Sequence, residues 1–136
     1  MTLSDIDFPT PGEDDDCRVV REILDLVADK WSLYVIATLK DGPVRFNELR
    51  RRIDGISQRM LTITLRGLER DGLVKRTLFA TIPPRVDYEL TDMGRTLFAP
   101  VMALVTWANT NQGSIQRARV RYDESQGARG TARAVA

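Results

Sequence analysis

Apolar residues in this chain first recur at helical spacing. Between residues 18 and 28, Val19, Val20, Ile23, Leu24, Leu26 and Val27 form a wide stripe at three- and four-residue intervals. Residues 31–39 are apolar on most sides (Trp31, Leu33, Val35, Ile36, Leu39), which predicts a central helix, stopped by Asp41-Gly42-Pro43. A short third helix over 46–53 turns Phe46, Leu49 and Ile53 inward and Arg50, Arg51 and Arg52 outward. Ser57 has the chemistry of an N-cap for a helix reaching about Arg70, and Gly72 is its stop. Leu61, Leu65 and Leu68 define the buried stripe of that helix. Gln58, Arg59, Thr62 and Arg66 fall on the opposite side, a face without acids.

After Gly72 the period changes. Residues 73–80 and 85–90 are short and rich in strand-forming types, separated by Thr81-Ile82-Pro83-Pro84. Two consecutive prolines fit a hairpin tip and not a strand interior. Thr91 opens a last long helix over about 92–111, with Met93, Leu97, Val101, Leu104, Val105 and Ala108 on one side. Pro100 inside it predicts a kink or break near Ala99.

Three domain segments follow: residues 1–16 as a disordered acidic tail, 17–111 as the folded domain, and 112–136 as an extension with a mobile end. The chain has 136 residues, 43% of them hydrophobic, enough for one core and not two. With no histidine and one cysteine, Cys17, it has no His/Cys metal site, no histidine base and no intrachain disulfide. An enzyme, a resident metal and a cofactor are therefore not expected. No apolar run is long enough for a membrane span or a secretory segment, and the single thiol fits the reducing cytoplasm.

The formal net charge of +1 hides an uneven distribution. Residues 1–16 carry six acids and no base, whereas residues 45–85 carry ten bases and four acids. Such a basic block either faces a polyanion or is a solvated surface. The order of elements decides between these. The expected fold is mainly α with a small β-hairpin (α+β): a winged helix-turn-helix with a three-helix core, a wing, and N- and C-terminal dimerisation helices. A helix set in the major groove presents its first turns to base edges, and the hairpin reaches the flanking backbone. Double-stranded DNA is thus the expected partner. Ser57, Gln58, Arg59, Thr62 and Arg66 form the helical contact set, and Lys75, Arg76 and Arg85 the wing set. For Lys75 the alternative is ordinary solubilising charge on an edge strand.

At these residues the chain resembles the HxlR-type branch of MarR-like winged-helix transcriptional regulators. The matching text is Asp29-Lys30-Trp31-Ser32-Leu33, Asp41-Gly42-Pro43, Arg45-Phe46-Asn47-Glu48-Leu49, and Gly55 to Thr62. It continues through Leu68-Glu69-Arg70-Asp71-Gly72-Leu73-Val74 and Pro83-Pro84-Arg85-Val86 to Thr91. The resemblance implies a transcriptional regulator, more readily a repressor than an activator. Two departures stand out. Asp29 takes the place of a glycine before Lys-Trp, and Ile63 and Thr64 replace long polar side chains in the recognition helix. Contact with thymine methyls would substitute there for hydrogen-bond readout.

The terminal stripes exceed what a small core can cover. Ile23, Leu26 and Val27 with Val101, Leu104, Val105 and Trp107 are the expected interface of a homodimer. A two-fold dimer predicts an inverted-repeat operator with half-sites about 34–36 Å apart. Trp31 is expected in the core. An effector-responsive variant would place an apolar pocket near Trp31, Trp107 and Val27 for an unknown small molecule. Some relatives use a cysteine at the place of Cys17 as a redox sensor, an implication of the resemblance; the alternative is an inert thiol. A winged helix that binds only protein is the remaining alternative, and it would not need the basic block.

Overall fold

The computed structural model describes the backbone of residues 15–135 and the side chains of residues 18–129. Expectations for residues 1–14 and for the Cys17 side chain lie outside the described residues. The chain divides into two compact units, Met1–Val101 and Met102–Ala136.

In the first unit, helix α1 spans Asp15–Val27, three residues longer at its start than the patterning indicates, and α2 spans Lys30–Thr38. Asp29 caps α2, its carboxylate accepting the Trp31 N–H at 3.1 Å. After one 3-10 turn come a two-residue strand β1, Val44–Arg45, and α3, Phe46–Arg52. Helix α4 spans Gln58–Arg70. Strands β2, Val74–Phe79, and β3, Arg85–Leu90, form the hairpin, whose turn contains a cis Ile82–Pro83 bond.

The hairpin is one edge of a three-stranded antiparallel sheet ordered β1-β3-β2. Sequence reading expects two strands; β1 is too short to show an alternation. Its register sets Val44 beside Tyr88 and Arg45 beside Asp87.

Helices α2, α3 and α4 enclose the core with the base of the sheet. Val35, Ile36 and Leu39 meet Leu49, Ile53, Leu61, Leu65 and Leu68, and Val74, Tyr88 and Leu90 close the cluster. Each fully buried leucine contributes about 1.5–3 kcal/mol relative to exposure. Trp31 and Phe46 pack half-buried against this cluster.

The expected break in the last helix is present, but two residues earlier. Helix α5, Asp92–Thr96, ends at Leu97, and α6 runs Phe98–Val135. Pro100 is the third residue of α6, in the first turn, where a missing N–H costs no intrahelical bond. This arrangement corrects one interface assignment. Val101 donates its N–H to Leu97 O at 3.0 Å and is only 4% exposed in the chain's own core. It has almost no surface left for a partner.

The second unit is the continuation of α6. Sequence reading ends this helix near Asn111, whereas its backbone is helical through Val135. Beyond Asn111 there is no continuous apolar stripe to mark it, although Ala, Arg and Gln favour helix there. No helix among the described residues is long and apolar enough to cross a membrane.

Candidate nucleic-acid interface

The site is built from the α3–turn–α4 pair and the β2–β3 hairpin. The turn needs a glycine: Gly55 has φ 81°, a left-handed conformation between the buried anchors Ile53 and Ile56. Ile56 donates its N–H to Ile53 O at 3.3 Å and closes the turn. Ser57 then starts α4, its hydroxyl accepting the Met60 N–H at 3.0 Å. That hydroxyl keeps its own proton for a further acceptor.

With Leu61, Thr64, Leu65 and Leu68 turned inward, α4 leaves Ser57, Gln58, Arg59, Ile63 and Arg66 exposed. The first turn holds no acid, and neither Arg59 nor Arg66 has an ion pair with a described residue. Thr62 is half-buried and donates its hydroxyl to Gln58 O at 2.9 Å. Its methyl and its oxygen lone pairs remain for a ligand. The two substitutions noted in the recognition helix separate here. Ile63 is 51% exposed, but Thr64 is 5% exposed and belongs to the packed side, so it cannot read a base.

Helix α3 carries its arginines unequally. Glu48 accepts Arg52 Nε at 3.1 Å and also pairs with Arg51 Nη2. The Arg52 hydrogen bond is the main reason the Glu48 carboxyl titrates below its ordinary value, with Arg51 adding to it. Arg50 has no such partner among the described residues, which leaves it the most available cation of the three.

On the wing, Lys75 and Arg76 are exposed. Lys75 stands opposite Glu89 in the register, and Arg76 opposite Tyr88. Arg85 is more constrained than its sequence suggests. Its Nε lies 3.3 Å from Asp87 Oδ1, both atoms are shielded from solvent, and neither forms an aligned hydrogen bond. Its guanidinium also covers the Phe79 ring at 4.3 Å. Between the hairpin tip and the β1–α3 segment lies an open groove of about 900 Å³ whose lining includes Arg45, Asn47, Arg50, Ile82 and Arg85. Sequence reading missed Arg45 and Asn47. They flank Phe46, a core residue, and only the β1–β3 pairing reveals that they face the wing.

Of the expected dimer residues, Ile23, Leu104, Val105 and Trp107 are exposed, and Leu26 and Val27 are half-buried against the core. Leu26 also packs on α4 at Gly67, where an added Cβ would lie 3.0 Å from Leu26 Cδ1. Among the described residues, no three His, Cys, Asp or Glu side chains gather as metal ligands.

Comparison with known proteins agrees with this geometry. Residues 26–116 match the model of the HxlR-like helix-turn-helix family. An HTH-type transcriptional regulator of Methanothermobacter thermautotrophicus is 44% identical over 96 residues, covering 71% of this chain and 73% of that protein. The solved structure of the transcriptional regulator ytfH from Salmonella typhimurium superposes with a TM-score of 0.70 at 36% identity, covering 74% of this chain and 89% of that one. The redox regulator HypR in its reduced form superposes with a TM-score of 0.67 at 40% identity, covering 73% and 98%. An exposed recognition helix whose first turn holds no acid, a basic wing beside it, and a family match over two thirds of the length have one meaning: this chain belongs to the HxlR-like helix-turn-helix family of transcriptional regulators.

Proposed function

We propose that this regulator binds double-stranded DNA sequence-specifically as a homodimer on an inverted-repeat operator and represses by occupying promoter DNA. The observation that carries the reading is the outer face of α4, where Ser57, Gln58, Arg59 and Arg66 are exposed, the first turn holds no acid, and neither arginine has an ion pair with a described residue. Arg59, in the first turn, has the length and fork geometry to pair with guanine O6 and N7, a contact worth about 1–3 kcal/mol of discrimination. Thr62 and Ile63 offer methyl groups to thymine. Arg50, Lys75 and Arg76 supply phosphate contacts, and Arg85 fixes the wing as much as it contacts DNA. Exposed Ile23, Leu104, Val105 and Trp107 supply apolar surface for a second copy. The chain acts as a binding protein and not as an enzyme, and it works in the cytoplasm, where its DNA is.

The test is a gel shift with the DNA upstream of the chain's own gene at two salt concentrations. A specific complex that weakens steeply with salt supports the reading, since each neutralised phosphate adds about 0.9 to the slope. A salt-insensitive complex, or none at all, contradicts it. Light scattering at micromolar concentration reports the dimer; a stable monomer contradicts that part.

A second reading has one specific observation behind it, the similarity to the redox regulator HypR. Cys17 is the only thiol of the chain. Operator binding that is unchanged by diamide leaves the first reading as stated. A loss on diamide treatment that disappears in Cys17→Ser establishes the second.

A further inference from the structure

We propose that the wing acts as an apolar wedge, with Ile82 entering the minor groove of bound DNA and opening a base step there. The inference rests on the DNA-binding reading and adds to it a residue that sets specificity without hydrogen bonds.

Ile82 is 101% exposed, so its side chain touches nothing in the chain that would shield it. It projects from a tip that is held firmly. Thr81 donates its hydroxyl to Pro83 O at 2.9 Å across the turn, and the rings of Pro83 and Pro84 fix two successive φ angles. A wedge needs this stiffness, because a mobile tip would lose its freedom on insertion. Leu78, 57% exposed, and Phe79 form apolar shoulders behind it.

The surroundings identify the partner. Lys75 and Arg76 lie along β2, and Arg45 and Arg50 line the groove beside the tip. Of the nearby acids, Glu48 is engaged by Arg51 and Arg52 and Asp87 by Arg85, while Glu89 stands opposite Lys75. An apolar protein partner would satisfy Ile82 and leave Arg45, Arg50 and Arg76 facing nothing. Duplex DNA satisfies both, with two rows of phosphates flanking an apolar stack of bases. Dimensions agree as well. The minor groove is about 6 Å wide, too narrow for a two-stranded ribbon with its side chains but wide enough for one isoleucine. Proteins that insert such side chains kink DNA by about 20–90°. Pyrimidine–purine steps unstack most easily. The wing should therefore favour a TA or CA/TG step flanking each half-site.

The experiment uses the full chain and the fragment protected upstream of its own gene, with 2-aminopurine placed at the flanking step and bending read by circular permutation. Wild type is expected to kink the fragment and raise 2-aminopurine fluorescence. Ile82→Ser should abolish both and weaken binding about tenfold, equivalent to ~1.4 kcal/mol, while Ile82→Met retains them. Since Ile82 supports no packing, the serine variant should unfold at the wild-type temperature. Equal bending and affinity for wild type and Ile82→Ser would overturn the wedge and leave DNA binding standing. Absence of any specific complex with wild type would overturn both.

Discussion

Gly94 is the position where a single added methyl group should do most damage to the scaffold. A Cβ built there would lie 2.0 Å from the carbonyl oxygen of Leu73, and 3.0 Å is already closer than side chains tolerate. The obstacle is backbone, and it is pinned. Thr91 donates its N–H to that same oxygen at 3.0 Å and its hydroxyl to Gly72 O at 2.6 Å, while the hydroxyl accepts the Gly94 N–H. One threonine thus ties the start of α5 to the segment that leads from α4 into the wing. Gly94→Ala must separate the two by at least an ångström. Losing the two bonds costs about 1 kcal/mol each, and overpacking adds about 1–3 kcal/mol. Helix propensity works in the other direction by about 1 kcal/mol. The net destabilisation is about 2–4 kcal/mol, which lowers the midpoint of a domain this small by roughly 8 °C or more. Thermal unfolding followed by circular dichroism measures it. The control is Gly113→Ala in α6, where the new Cβ meets only the Arg117 Nη1 end at 3.4 Å and helicity should be kept or increased. A Gly94→Ala protein as stable as wild type would refute the close approach on which the wing's placement depends.

Three further outcomes follow from the same geometry. Ser57→Ala removes the acceptor for the Met60 N–H and should cost about 1 kcal/mol of stability, with Ser57→Asp restoring it in denaturant melts. Arg50→Ala should weaken DNA binding on all sequences alike and lower the salt slope by about 1, whereas Arg51→Ala, removing a cation already paired with Glu48, should change the slope less. Glu48 titrates low because the folded state holds it charged. Its contribution is therefore present above its ordinary pKa and lost as pH falls through the lowered folded value. Glu48→Gln should be less stable than wild type at pH 7, and the gap should close in acid; a gap that persists at low pH would contradict the ion pair.

Much of this architecture is legible before any coordinates. The period-3.6 leucines of α4 name its buried side, and Ser57 and Thr91 announce the caps that the hydrogen bonds then display. Features set by long-range partners are not legible. Strand β1 exists because Val44 and Arg45 pair with Tyr88 and Asp87, far away in sequence. Val101 continues an apolar stripe that looks free, yet the break at Leu97 turns it into the core. Thr64 looks like a recognition residue by position, and the helical phase places it inside. At the site, charge patterning locates the basic block but cannot tell engaged arginines from free ones. Arg85, Arg51 and Arg52 are held by acids two to four residues away, while Arg50, Arg59 and Arg66 are not.

The most direct measurement is a salt titration of affinity for the protected upstream fragment by fluorescence anisotropy, with wild type and the double variant Arg59→Ala/Arg66→Ala. If the outer side of α4 lies against the duplex, the double variant should lose preference for that fragment over random DNA, and its slope against salt should fall by about 2. The same preference and the same slope in both proteins would mean that this helix does not read the DNA.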